Sequence, residues 1–269
     1  MAPQPVPSSD AATANRPLLS ALVVARNEEA RLGPCLESLG FADEIVVLLD
    51  RSTDGSAAVA QCHGARVIEG AWEIEGERRN AGIAACRGEW ILEVDADERA
   101  TPALAAEIRA AIAAHDSGYF LVPMANHIGG RLVRHGWGAY NGVARKPALF
   151  RAGGKHWGAG RVHPKIELVG PRRELAAAMQ HFVYRDVSDM LRRLDRYTDL
   201  AAADALERNA VPSLARSLRR VLSRAWKSYV ARRGYREGAW GVALAMLSGL
   251  YPLLIYLKAT TGRYDAARE

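Results

Sequence analysis

Cysteine is scarce in this chain of 269 residues. Cys35, Cys62 and Cys86 stand singly, with no C-x-x-C spacing, which excludes a disulfide framework and a cysteine-built zinc site and suits a reducing, cytoplasmic setting. The G-x-G-x-x-G turn of a nicotinamide dehydrogenase is missing after the first apolar run, where "ARNEEA" stands, and there is no P-loop. The opening "MAPQPVPSSDAATANRP" has neither a basic nor an apolar segment of the kind a secretory signal needs, and reads as a disordered leader. Acidic residues are absent between Ser213 and Arg236, where eight basic ones fall. Subtracting those eight from the net charge of +6 leaves the remainder at −2, so the cationic charge is concentrated. A nucleic-acid binder would spread it over the folded face, and no nucleic acid is expected as a partner.

What is present begins with alternation. "LLSALVVA" (18–25), "EIVVLLD" (44–50), "ARVIEG" (65–70) and "EWILEVD" (89–95) are apolar runs of strand length. Between them, "RNEEARLGPCLESLG", "RSTDGSAAVAQCHG" and "EGERRNAGIAACRG" carry helical spacing, with Ser52 and Thr53 as caps of the second. Thr101 and Pro102 open a further helix with Leu104, Ile108 and Ile112 on one stripe. Strands joined by helices of this length predict a parallel sheet covered on both faces. Ligands of such sheets bind beyond the carboxyl ends of the strands, where strand order reverses. From 118 to about 183 short apolar pieces are broken by Gly, Pro, His and Trp, predicting strands and long loops on an acceptor side, with helix again from Ser188.

Carboxylates collect at the predicted ligand end. In "GEWILEVDADER" four acids, Glu93, Asp95, Asp97 and Glu98, close an apolar run, and they are expected at the crevice rather than in the core. Residues two apart on an extended chain point the same way, so Asp95 and Asp97 are expected to face one ligand, Asp95 toward a sugar hydroxyl or ribose and Asp97 toward a hard divalent cation, Mg²⁺ or Mn²⁺. Glu98 reads as part of a solvated turn. Arg26 or Asn27 is placed beside a base, Asp50 accepts from a nucleobase N–H, and Arg78 and Arg79 meet phosphates with forked donors. Trp137 and Trp157, in Gly-rich loops, can stack on a sugar ring or fill a core.

Near the C-terminal end, "SLARSLRRVLSRAWKSYV" reads as a basic amphipathic helix. Leu214, Leu218, Val221, Leu222, Ala225 and Tyr229 share one face, with Arg216, Arg220, Arg224 and Lys227 roughly opposite, the pattern of a helix lying in a membrane interface. The uncharged run from Gly238 to Leu257 has about the 20 residues that crossing a bilayer takes, and also reads as an interfacial hairpin or a core helix. Basic residues beside it favour the anionic cytoplasmic leaflet, so the expected location is the cytoplasmic face of the plasma membrane, peripheral or by one hydrophobic segment.

As an ordered set, "ALVVARNEEARLGPCLESL", "EIVVLLDRSTDGS", "RRNAGIAACRGEWILEVDADE" and "RVHPKIELVG" resemble the motifs of family 2 glycosyltransferases of GT-A fold, nearest the branch of lipopolysaccharide-core, beta-glucosyltransferase-like enzymes. The resemblance covers about Leu19 to Asp199. It implies an α/β Rossmann-like sheet and inverting transfer from a nucleotide-diphosphate sugar, with a divalent cation, to a glycan or lipid-linked acceptor. It also implies that Ala25, Arg26, Asn27, Glu28 and Asp50 line the nucleoside pocket, Arg79 and Asn80 lie near diphosphate or sugar, Asp95 meets ribose or donor sugar, and Asp97 ligates metal. The expected organisation is a leader (1–17), a transferase domain (18–187, with a nucleotide-sugar half 18–117 and an acceptor half 118–187), and membrane-associating C-terminal helices (188–269). For the base, Glu167 ranks first, then His163, then Asp186. Leu49 and Arg51 depart from the family's Asp-Asp-Gly-Ser or Asp-Ser-Gly-Ser turn, His163-Pro164 stands where the branch often has His-Glu, and "ALFR" (148–151) replaces Arg-Leu-Phe-Arg. Two rival readings are a metal-dependent phosphatase of the Asp-x-Asp type, whose aspartates follow its first strand and not its fourth, and a non-catalytic, membrane-docked nucleotide-binding protein.

Overall fold

A computed structural model describes residues 18–138, 143–159 and 165–261, which fall into two compact units. The first comprises residues up to Leu121 together with Pro147–Leu175. Its chain runs β1 (Leu19–Ala25), α1 (Glu29–Ser38), β2 (Glu44–Asp50), α2 (Ser56–Cys62), β3 (Arg66–Gly70), α3 (Glu75–Ala85), β4 (Trp90–Asp95), β5 (Glu98–Arg99) and α4 (Pro102–Ala114). Strands lie in the order β3-β2-β1-β4, all parallel, so the order reverses between β1 and β4. The far part of β8 (Arg145–Arg151) adds antiparallel to β4. β6 (Tyr119–Ile128) begins in this unit, paired with β11 (Arg172–Glu174), while β9 (Lys155–Trp157) and β10 (Ile166–Leu168) form a separate antiparallel ribbon.

All seven residues of β1 are buried, as a strand covered by helices on both faces must be. Leu22, Val24, Val46, Leu48 and Ile91 share one face with Phe150, and Ala81, Ile83 and Ala85 of α3 pack on them. α3 comes close to β1 at Gly82, where a Cβ would stand 2.9 Å from Leu22 Cδ1. The Thr101 Oγ1 accepts the Leu104 N–H at 3.1 Å, Pro102 begins α4, and Leu104, Ile108 and Ile112 are buried. Thr101→Ala is expected to cost about 1 kcal/mol, measurable as a lower denaturant midpoint at unchanged m-value.

Two helix starts differ from the sequence expectation. α1 begins at Glu29 rather than Arg26, because Asn27 takes a left-handed conformation at φ 53° and leaves the helical path. α2 begins at Ser56 with no side-chain cap; Ser52 and Thr53 instead bracket Asn27, whose N–H reaches Ser52 Oγ at 3.2 Å and whose Oδ1 accepts the Thr53 N–H at 2.8 Å.

The second unit comprises Val122–Lys146 and Ala176 onward. The remainder of β6 pairs with β7 (Arg131–Leu132) and β12 (Met179–Tyr184), followed by α5 (Val187–Glu207), α6 (Leu214–Trp226) and α7 (Ala239–Thr260). Its core holds Trp137, Tyr184 and Leu194 with Leu244, Leu247 and Tyr251 of α7. α7 is the one helix among the described residues long and apolar enough to cross a membrane, and it is partly buried inside the unit. Lys258 ties its end to Asp195 and Asp199 of α5, each at 2.7 Å. α6 is turned differently from the sequence expectation. Val221 and Ala225 face Gly249 of α7, and Arg224 lies 5.0 Å over the Tyr251 ring, so these three belong to the inward side.

Candidate functional site

Parallel strands end together, and here β1, β2 and β4 bring Ala25, Asp50 and Asp95 to one end of the first unit's sheet beside the reversal of strand order. Asp50 is buried and accepts from the Trp72 N–H at 3.1 Å, Arg51 Nε at 3.2 Å and Arg78 Nη1 at 3.2 Å. Burial alone would raise its pKa, but the Trp72 N–H and the two guanidinium groups outweigh burial and hold it below its ordinary value. Asp50 is therefore an ionised acceptor, and Arg51, the residue that departs from the family turn, folds back over it. Ala25 is buried, Arg26 and Asn27 are exposed, and the Glu28 N–H binds Ser56 Oγ at 3.0 Å. Asp54 accepts from Glu29 and Ser56, consistent with a turn role.

The four acids of the β4 end divide. Glu93 and Glu98 are both 1% exposed, so the expectation that the whole cluster lies at the crevice is corrected for these two. Glu98 is no solvated turn residue: its Oε2 accepts the Asp95 N–H at 2.9 Å and closes the turn. β4 ends at Asp95, so strand alternation pairs Glu93 with Asp95 rather than Asp95 with Asp97. Arg79 joins that pair, reaching Glu93 at 2.5 Å, Asp95 at 3.2 Å and Glu75 at 2.9 Å. Burial would lower the Arg79 pKa, yet Asp95, Glu93 and Glu75 together hold it well above its ordinary value. Asp97, in the turn, instead stands 3.5 Å from Arg31 of α1.

Glu93 has a second cation that the sequence reading missed. Lys155 Nζ is 2.6 Å from its Oε2 and is almost wholly buried, while Trp157 Nε1 donates to the same oxygen at 3.3 Å. The Trp157 ring lies under both cations, 4.7 Å from Arg79 and 4.8 Å from Lys155. Trp157 is thus a wall of the site, whereas Trp137 is stacked on Tyr184 inside the second unit's core. A carboxylate inside the apolar run "WILEVD" signals that a cation must come from elsewhere in the chain; nothing in the sequence says which one.

The β9–β10 ribbon is fastened to α3. Asn80 donates to the Trp157 carbonyl at 2.8 Å and accepts its N–H at 2.9 Å, and a Cβ on Gly76 would stand 2.1 Å from the Gly158 oxygen, so only glycine fits. Glu167 lies directly opposite His156 across the ribbon, so both side chains occupy one face, and His156 Nε2 is 3.5 Å from Asn80 Nδ2. His156 is a further polar group that the sequence reading did not single out. Asp186 belongs to the second unit and caps α5, its Oδ1 accepting the Asp189 N–H at 2.7 Å. His163 lies outside the described residues.

Hard oxygen donors are available for a divalent cation in Asp95 and Asp97, each now facing a guanidinium. Among the described residues no three His, Cys, Asp or Glu side chains gather to hold a metal unaided. Carboxylate oxygens are the donor type a hard cation such as Mg²⁺ takes, and one or two of them suffice where substrate phosphates complete the shell.

Comparison with known proteins adds to this geometry. The family profile described as glycosyl transferase family 2 matches residues 20–163. A lipopolysaccharide core biosynthesis glycosyltransferase, LpsC, of Rhizobium meliloti (strain 1021) is 35% identical over 147 residues, covering 46% of this chain and 53% of that protein. An uncharacterized glycosyltransferase of Rickettsia felis is 33% identical over 104 residues, covering 38% of this chain and 37% of that one. The chain spans about half or less of the length of these curated relatives. Among solved structures, S. aureus TarS 1–349 in complex with UDP-GlcNAc is 27% identical with a TM-score of 0.37, covering 43% of this chain and 36% of that one. Glucosyl-3-phosphoglycerate synthase from Mycobacterium tuberculosis, in complex with Mn²⁺, UDP and glucosyl-3-phosphoglycerate, is 25% identical with a TM-score of 0.36, covering 44% and 47%.

Proposed function

Because the chain belongs to glycosyl transferase family 2, we propose that it moves a sugar, with inversion, from a nucleotide-diphosphate donor to a cell-envelope glycan or lipid-linked acceptor at the cytoplasmic face of a membrane. The observation that carries this reading is the shared sheet end where Asp50 and Asp95 close their strands and Asp97 follows in the turn, beside Arg78, Arg79 and Arg31. The name of the Rhizobium relative supports the acceptor class.

In this reading Asp50 and the 25–28 segment receive the nucleoside, and Asp95, oriented by Arg79, meets ribose or donor sugar. Asp97 would hold the divalent cation, with Arg31 yielding its place; once bound, the cation supplies positive charge to offset the departing diphosphate. The acceptor hydroxyl attacks the anomeric carbon from the face opposite the diphosphate while a base takes its proton. Glu167 ranks first for that role, because its ribbon is fastened to the helix that carries Arg79, and His163 follows; Asp186, ranked third from the sequence, is the cap of α5 in the other unit.

The test is release of nucleoside diphosphate from a panel of nucleotide sugars with Mn²⁺ or Mg²⁺. Release that depends on both the cation and an acceptor is the expected result. Phosphate release from phosphomonoesters, or donor binding with no turnover across the panel, would replace this reading with the phosphatase or the non-catalytic one.

A further inference from the structure

α6 is folded inside out for a helix in water. The residues it buries are hydroxyls: Ser217, 0% exposed and with no hydrogen-bond partner for its Oγ, and just beyond its end Ser228, also 0% exposed. The residues it shows to solvent are its largest apolar ones, Leu214 at 45%, Leu218 at 47%, Leu222 at 73% and Trp226 at 65%. These recur every fourth residue and so form one row. A soluble surface helix places such a row against the core; here the core side holds Ser217, Val221 and Ala225, the last two against Gly249 of α7, with Arg224 over the Tyr251 ring.

The charge around the row has one sign. Glu237, which ends the acid-free stretch, is buried and accepts the N–H groups of Arg134 and His135 at 2.8 and 3.0 Å. The exposed surface from Ser213 to Arg236 therefore carries cations alone. A second copy of this chain would bring the same cations face to face, which opposes such pairing. An anionic sheet with an apolar interior suits both the row and its flanks.

We infer that α6 is the edge by which this chain docks on an anionic phospholipid surface, its outward leucines and Trp226 entering the acyl boundary and its arginines meeting headgroup phosphates. This rests on the membrane-surface part of the reading above and sharpens it by naming α6 as the element that docks.

The test is flotation of the full chain with phosphatidylcholine vesicles and with vesicles that also contain phosphatidylglycerol. The chain is expected to float with the anionic vesicles and to be released by salt. Leu222→Ser with Trp226→Ser should lower the partition at least tenfold, and Arg219→Gln with Arg220→Gln should lower it about thirtyfold, from about 1 kcal/mol per charge. All four positions are exposed, so circular dichroism should match the parent. Equal binding to both vesicle types, or unchanged binding by the serine variant, overturns the proposal. A wild-type dimer made monomeric by the serine variant overturns it in favour of self-association. Donor turnover with a soluble acceptor is read on the same samples, and its persistence when vesicle binding fails separates this inference from the transferase reading.

Discussion

Asp97→Asn is expected to lower cation-dependent turnover of the nucleotide sugar by a factor on the order of 10² to 10³ while the protein stays folded. The substitution keeps size and polarity but removes the negative charge that now faces Arg31 at 3.5 Å. Both side chains are largely buried, 19% exposed for Arg31 and 12% for Asp97, so the unliganded variant is expected to melt somewhat below the parent, and the ligand effect is read as a shift from its own baseline. The discriminating measurement is the thermal shift given by nucleoside diphosphate with Mn²⁺. A ligand at one hundred times its Kd stabilises the folded state by about 2.7 kcal/mol, and the variant should lose the Mn²⁺-dependent part of that gain. Full cation-dependent turnover in the variant would remove Asp97 from the site.

Glu93→Ala should act in the opposite way, on the fold first. It leaves Lys155 and Arg79 buried without the carboxylate that both contact. Removing one partner of a buried pair costs about 3–5 kcal/mol, a fall in Tm on the order of 10 °C for a chain of this size. Glu93→Gln, which can still accept from Lys155, should fall less. If Glu93→Ala melts with the parent, the buried cluster is not what fastens β9 to the sheet.

The legible part of the fold was the part written in local periodicity. β1 to β4 and the helices between them follow from apolar runs and caps, and the carboxylates at strand ends follow from where those runs stop. Contacts between distant segments were not legible. Glu93 and Lys155 meet across 62 positions, and no spacing rule links them. The strand-alternation argument for Asp95 and Asp97 failed because β4 ends one residue before Ala96, and the Glu98 side chain closes a turn there. The amphipathic character of α6 was visible, but not which arc faced the protein: Gly249 of α7 decides that, and it lies in a run whose hydrophobicity is nearly uniform around the helix.

The backbone contact between Gly76 and Gly158 sets the gauge of the first unit's site. Arg79 and Asn80 on one side, and His156 and Glu167 on the other, are spaced by peptide touching peptide rather than by interdigitating side chains. Exchanging side chains along either wall leaves that gauge unaltered. If the donor sugar sits here as proposed, its preference would be retuned by the length and polarity of individual side chains, and a wider aperture for a bulkier sugar would require relocating the whole ribbon.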